Sequence, residues 1–137
     1  QARGVLYLAV ALYERLGEKK KFGDILTKAL DIYPRHLAQY PDDAYRRMAY
    51  AVNLTYAGRN EEGKKEGGKA LELSTSDPIM MYYGACLYSR LGEKHRAVEL
   101  IKNAVANGYE NFVWIKRDPD FDNIRNEPGY IELMKGK

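Results

Sequence analysis

Apolar residues along this chain recur at three- and four-residue spacing, the period of a helix with one buried face. Met81, Ala85 and Tyr88 form one such stripe, and Ala97, Ile101 and Ala104 form another. Gly92 lies between them, and a glycine between two amphipathic stretches reads as a tight turn joining two helices. Small alanines on facing stripes let two helices approach closely, while larger Tyr or Leu side chains fill the space beside them. The pattern predicts a helical hairpin.

The hairpin recurs. Arg15, Leu16, Gly17, Glu18 and Lys19 return unchanged as Arg90, Leu91, Gly92, Glu93 and Lys94, and Gly58 falls 41 residues after Gly17 and 34 before Gly92. In the shorter register Ala51 aligns with Ala85 and Ala70 with Ala104; in the longer one Lys28, Ala29, Leu30 aligns with Lys69, Ala70, Leu71. A fixed period of this length is the mark of a stacked-repeat architecture. Three units follow, at about 3–36, 44–77 and 78–111, with a cap over 112–137, within a single domain spanning 1–137.

A 34-residue helix-turn-helix unit with small, large, Gly, Ala, apolar and Ala residues in this order resembles the tetratricopeptide repeat. That resemblance implies an all-α fold, a right-handed α-α superhelix of three helical hairpins plus a C-terminal helical cap. Pro34 sits where such a repeat commonly closes its second helix, although Thr75 stands there in the second unit. Phe22 replaces the usual small Ala in the first unit. Gly63 and Gly67 fall inside the second unit's second helix, where Gly costs roughly 1 kcal/mol relative to Ala; they either loosen that helix or let it pack closely. The seven extra residues, Leu37 to Asp43, lengthen or bend the first connection, with Pro41, Asp42 and Asp43 reading as a stop followed by an N-cap for a helix beginning near Ala44.

After Gly108 the pattern changes, and a final repeat needs a different element to cover its exposed apolar face. Trp114, Phe121 and Ile124 are the candidates to cover it. The run over about residues 78–134 also resembles C-terminal segments that follow such repeats in prokaryotic multidomain proteins, including some class III adenylate cyclase-type regulatory chains. This implies an excerpt from the end of a longer polypeptide and carries over no cyclase residue.

Composition narrows the function classes. With 45% hydrophobic and 30% charged residues the chain reads as globular rather than disordered. The net charge is +3, from 22 basic against 19 acidic residues interspersed along the chain, which argues against a nucleic-acid partner. Lys19, Lys20 and Lys21 have Glu18 and Asp24 as neighbours and read as a solvated helix start. No apolar run approaches the roughly 20 residues of a membrane span, so no membrane insertion is expected. The start lacks the order of a signal peptide, and a cytoplasmic location is the expectation.

Candidate chemistry is sparse. Cys86 is the single cysteine, which excludes an internal disulfide. Asp118, Asp120 and Asp122 alternate like the start of a calcium loop, but Gly129 stands where the bidentate Glu would be, so Asp118 reads as the cap of a short turn that Pro119 begins. His36 and His95 lie in different units without a metal-ligand spacing, and Gly63, Gly67 and Gly68 have the wrong order for a phosphate loop. Asn53, Leu54, Thr55 is a formal glycosylation sequon inside an expected packed helix. No catalytic residue, metal or cofactor is expected.

The 12 tyrosines are a large share of the chain, and several fall on first helices. The tetratricopeptide resemblance places those helices along a concave groove. By that mapping Tyr7, Ala11 and Glu14 of the first unit, Tyr45, Met48, Val52 and Tyr56 of the second, and Ile79, Tyr82, Cys86 and Arg90 of the third face the groove. Aromatic area with polar tips suits a protein or peptide partner. The Lys, Asn and Arg clamp of chaperone-tail binders is absent, since Tyr7, Ala11, Ala49, Ile79 and Tyr83 hold its positions. The expected function is non-catalytic protein–protein interaction in this groove. The alternatives are a structural or self-associating spacer that forms a homo-oligomer, or a regulatory appendage of a multidomain enzyme.

Overall fold

The computed structural model describes residues 2–137, and their side chains from residue 9 onward. All regular structure among the described residues is helical: α1 Ala2–Arg15, α2 Lys19–Gln39, α3 Ala44–Tyr56, α4 Asn60–Leu73, α5 Pro78–Arg90, α6 Lys94–Ala106, α7 Phe112–Arg117, a 3-10 turn Pro119–Phe121, and α8 Pro128–Met134. The chain forms two compact units, Gln1–Leu73 and Ser74–Lys137.

One local device ends α1, α3, α5 and α6. Gly17, Gly58, Gly92 and Gly108 have φ of 71°, 78°, 79° and 109°. After each, an amide reaches back five residues: Glu18 N to Tyr13 O, Arg59 N to Leu54 O, Glu93 N to Tyr88 O and Tyr109 N to Ala104 O, at 2.9–3.1 Å. This is the Schellman cap, in which glycine takes the left-handed conformation and satisfies otherwise orphaned carbonyls. The glycine register found in the sequence is therefore a register of helix ends.

In the first unit, α1 pairs with α2 and α3 with α4. Leu26, Ala29, Tyr33 and Leu37 form the buried stripe of α2, and Ala29 and Tyr33 pack with Ala49 of α3, with Ile25 and Tyr50 at the margin. Between α3 and α4 the approach is closer. A Cβ on Gly63 would lie 2.9 Å from Ala51 O and 3.2 Å from Thr55 Cγ2. Of the two roles open to that glycine, close packing is the one observed, and α4 is continuous through it. Arg47 and Glu66 tie the two helices by an ion pair of 2.5 Å. Asn53 of the sequon is fully buried, its Nδ2 donating to Ala49 O at 2.9 Å.

Pro34 does not close its helix: α2 runs on to Gln39. An internal proline removes one backbone bond and costs about 3 kcal/mol, but Tyr33 and Leu37 on either side of it are buried. Three of the seven extra residues extend α2, and the other four make the turn to α3. Asp43 caps α3 as expected, its side chain accepting from Arg46 N at 3.1 Å.

In the second unit, α5 pairs with α6, and Ala85 and Leu87 of α5 and Ala97, Ile101 and Ala104 of α6 are all buried. Asp77 caps α5 and Pro78 occupies its first turn. Asn111 caps α7, accepting from Trp114 N. Phe121 and Ile124 are fully buried as expected, but Trp114 is 37% exposed and Ile115 holds the interior position of α7. A helix of six residues has one inward stripe, and Trp114 lies a residue off it.

Candidate functional site

The eleven groove positions divide by burial. Tyr7 lies outside the described side chains. In the first unit Glu14 is exposed and Ala11, Tyr45 and Tyr56 are half-buried, whereas Met48 and Val52 are interior. In the second unit Ile79 is 45% exposed and Arg90 half-buried, whereas Tyr82 and Cys86 are interior. Met48, Val52, Tyr82 and Cys86 thus belong to the core and do not present their side chains to solvent. The two rows, Tyr45, Met48, Val52, Tyr56 and Ile79, Tyr82, Cys86, Arg90, match residue for residue at a spacing of 34, with their accessible members at the ends.

The middle of the α5 row is covered by residues of the same unit. Asp118 caps the 3-10 turn, its Oδ1 accepting from Asp120 N at 2.9 Å. Its Oδ2 accepts from the Tyr82 hydroxyl and lies 3.7 Å from Cys86 Sγ. Asp120 faces Arg90 at 3.4 Å, and Asn123 Nδ2 donates to Ser89 O at 2.9 Å. The Tyr82 ring stacks on Tyr109 at 4.5 Å and meets Phe121 edge-on at 5.4 Å. Arg125 secures the other side of the turn, donating to Asp118 O at 2.5 Å, Tyr130 Oη at 3.1 Å and Asp122 at 3.1 Å.

Electrostatics follow from this enclosure. Burial, and then the Asp120 carboxylate beside it, push the Asp118 carboxyl up, against the pull of the donors on it. Burial, followed by Cys86 and Asp118, pushes the Tyr82 phenol well above its usual range, and Tyr109 rises to about 12 chiefly by burial. The Cys86 sulfur and one oxygen from each of Asp118 and Asp120 lie within 4.8 Å of one another, a donor set that could hold a metal ion. The surroundings suit a clasp better: both Asp118 oxygens are occupied by protein donors and the Arg90 guanidinium opposes Asp120. Sequence reasoning finds the turn-capping oxygen of Asp118 and misses the second one, which reaches α5.

No protein-family model matches the chain. It is 34% identical over 77 residues to the human protein named IFIT1 homolog B, covering 56% of this chain and 16% of that protein. It is 34% identical over 65 residues to the human antiviral innate immune response effector IFIT1, covering 47% and 14%. A third likeness is to a chloroplastic protein of Arabidopsis thaliana, 32% identical over 57 residues, 42% of this chain and 17% of that protein. The match thus spans about a sixth of the length of each relative. None of these names describes a cyclase, and that part of the resemblance gains no support from them. Among the described residues, no helix is long and apolar enough to cross a membrane.

Proposed function

We propose that the chain is a non-catalytic module for recognising a protein or peptide segment, built from helical hairpins of the tetratricopeptide type. The observation that carries this is the pair of rows on α3 and α5, repeated at a spacing of 34 in hairpins that turn on the same capped glycine. The local likeness to the IFIT1 proteins supports the repeat class. The interior members of each row fix its shape, and the accessible Tyr45, Tyr56, Ile79 and Arg90 supply contact area with polar ends.

The test is affinity capture with the full chain and with a Tyr45→Ala, Tyr56→Ala, Ile79→Ala variant whose helicity matches by circular dichroism. A partner retained by the parent chain and lost with the variant supports the reading. Equal retention by both chains removes the rows from the recognition surface.

A further inference from the structure

The residues that lengthen the first connection build a site of their own. Beside the turn from α2 to α3 lies an open cavity of about 670 Å³ running from His36 to Arg46. Side-chain contacts link its walls. Asp43 pairs with the His36 ring nitrogen at 2.8 Å and accepts from the Arg46 guanidinium at 2.7 Å. The His36 ring lies 4.9 Å from that of Tyr40, and Arg47 donates to Pro41 O at 2.8 Å.

Gln39, Tyr40 and Asp42 are the exposed polar or aromatic groups of the lining. Tyr40 is 58% exposed despite its contact with His36. Asp42 is exposed and forms no hydrogen bond or ion pair among the described residues. The last turn of α2 ends at Gln39, and the carbonyl end of a helix carries negative partial charge. Arg46 also lines the cavity, but Asp43 neutralises it. The positive N-terminus of α3 borders the same cavity, but its cap Asp43 lies over it. The exposed aromatic face and the uncommitted Asp42 carboxylate are therefore the features that favour a cation over a phosphate or carboxylate ligand.

We propose that this cavity receives an arginine side chain from a partner segment, its guanidinium stacked on Tyr40 and paired with Asp42. Arginine suits the site better than lysine because its flat guanidinium can stack on a ring while forming two parallel bonds to a carboxylate. The site goes beyond the recognition reading above, since it uses none of the row residues.

The test is an NMR titration of the full chain with acetyl-Gly-Arg-Gly-amide, with the citrulline peptide, its uncharged isostere, as control. Saturable shifts centred on amides 36–46 are expected with arginine and not with citrulline. Asp42→Asn and Tyr40→Ala should each weaken the apparent affinity by about fivefold, the size of a partly exposed ion pair or cation–π contact. Circular dichroism confirms that both exposed-site variants stay folded. Equal shifts with citrulline, shifts centred elsewhere, or affinity indifferent to both substitutions would overturn the proposal. Those outcomes leave the row reading untouched, because its own test changes only Tyr45, Tyr56 and Ile79.

Discussion

Asp118→Asn isolates the cost of burying an acid in the clasp. The carboxyl is 3% exposed, and burial, then Asp120, raise its pKa from 3.8 to about 6. A folded-state value above the unfolded one means that the native protein holds the proton more tightly. The stabilisation from that proton is complete below about pH 4 and is lost as pH rises through about 6. A pKa difference of this size corresponds to about 3 kcal/mol. The difference in unfolding free energy between the parent chain and Asp118→Asn should therefore move by about 2 kcal/mol in the variant's favour between pH 4 and pH 7, the rest of the effect lying below pH 4. The loss of one acceptor from Tyr82 shifts this difference by an offset that does not depend on pH. Urea unfolding at several pH values supplies the profile, and carbon-detected NMR of the Asp118 carboxyl gives its titration directly. A difference that stays flat across this range, or a carboxyl titrating near 4, would refute the reasoning.

Asp43 gives the opposite sign in a separate window. Burial alone would raise its pKa, but bonds from Arg46 and His36 outweigh that and hold it at about 2. Its stabilisation is complete above about pH 4 and falls away toward pH 2, so the low-pH loss measured by thermal unfolding should be smaller in Asp43→Asn. Gly63→Ala should destabilise by about 1–3 kcal/mol despite the better helix propensity of Ala, because its Cβ would press on the Ala51 carbonyl; a raised melting temperature would count against the close approach. Gly58→Ala places a side chain at φ 78° and should cost about 1 kcal/mol in the same assay. The Cys86 thiol is buried beside a carboxylate, so in native protein it should react with a disulfide reagent only at the rate of opening, far more slowly than in urea.

Much of the fold is legible in the sequence because its signals are local. Left-handed glycine can be read from the recurrence of Gly17, Gly58 and Gly92, and an N-cap from Asp43 before Ala44, since each depends on only a few neighbouring residues. Pro34 misleads for the opposite reason. Its local preference is to end a helix, yet buried Tyr33 and Leu37 hold the turn on either side of it, and that burial depends on packing against other helices. Trp114 and Ile115 show the same limit: hydrophobicity marks α7 as a cap, but only the direction of its single inward stripe decides which residue enters the core.

The candidate rows show where a repeat register stops being informative. A spacing of 34 assigns Tyr82 and Cys86 the same place on α5 that Met48 and Val52 have on α3, but it does not say what lies over that place. In α5 it is a turn whose Asp118 stands 36 residues beyond Tyr82, held by the second oxygen of Asp118 and by Asp120 against Arg90. The sequence alone assigns Asp118 to its turn because a single capping bond explains an Asp before Pro. A carboxylate has room for more than one donor, and the remaining capacity is invisible until the fold brings a phenol to it. The raised Asp118 pKa is the physical trace of that second role. A carboxyl that only capped an exposed turn would titrate near its ordinary value, so the pH profile of Asp118→Asn measures how far the clasp, rather than the turn alone, determines the environment of this residue.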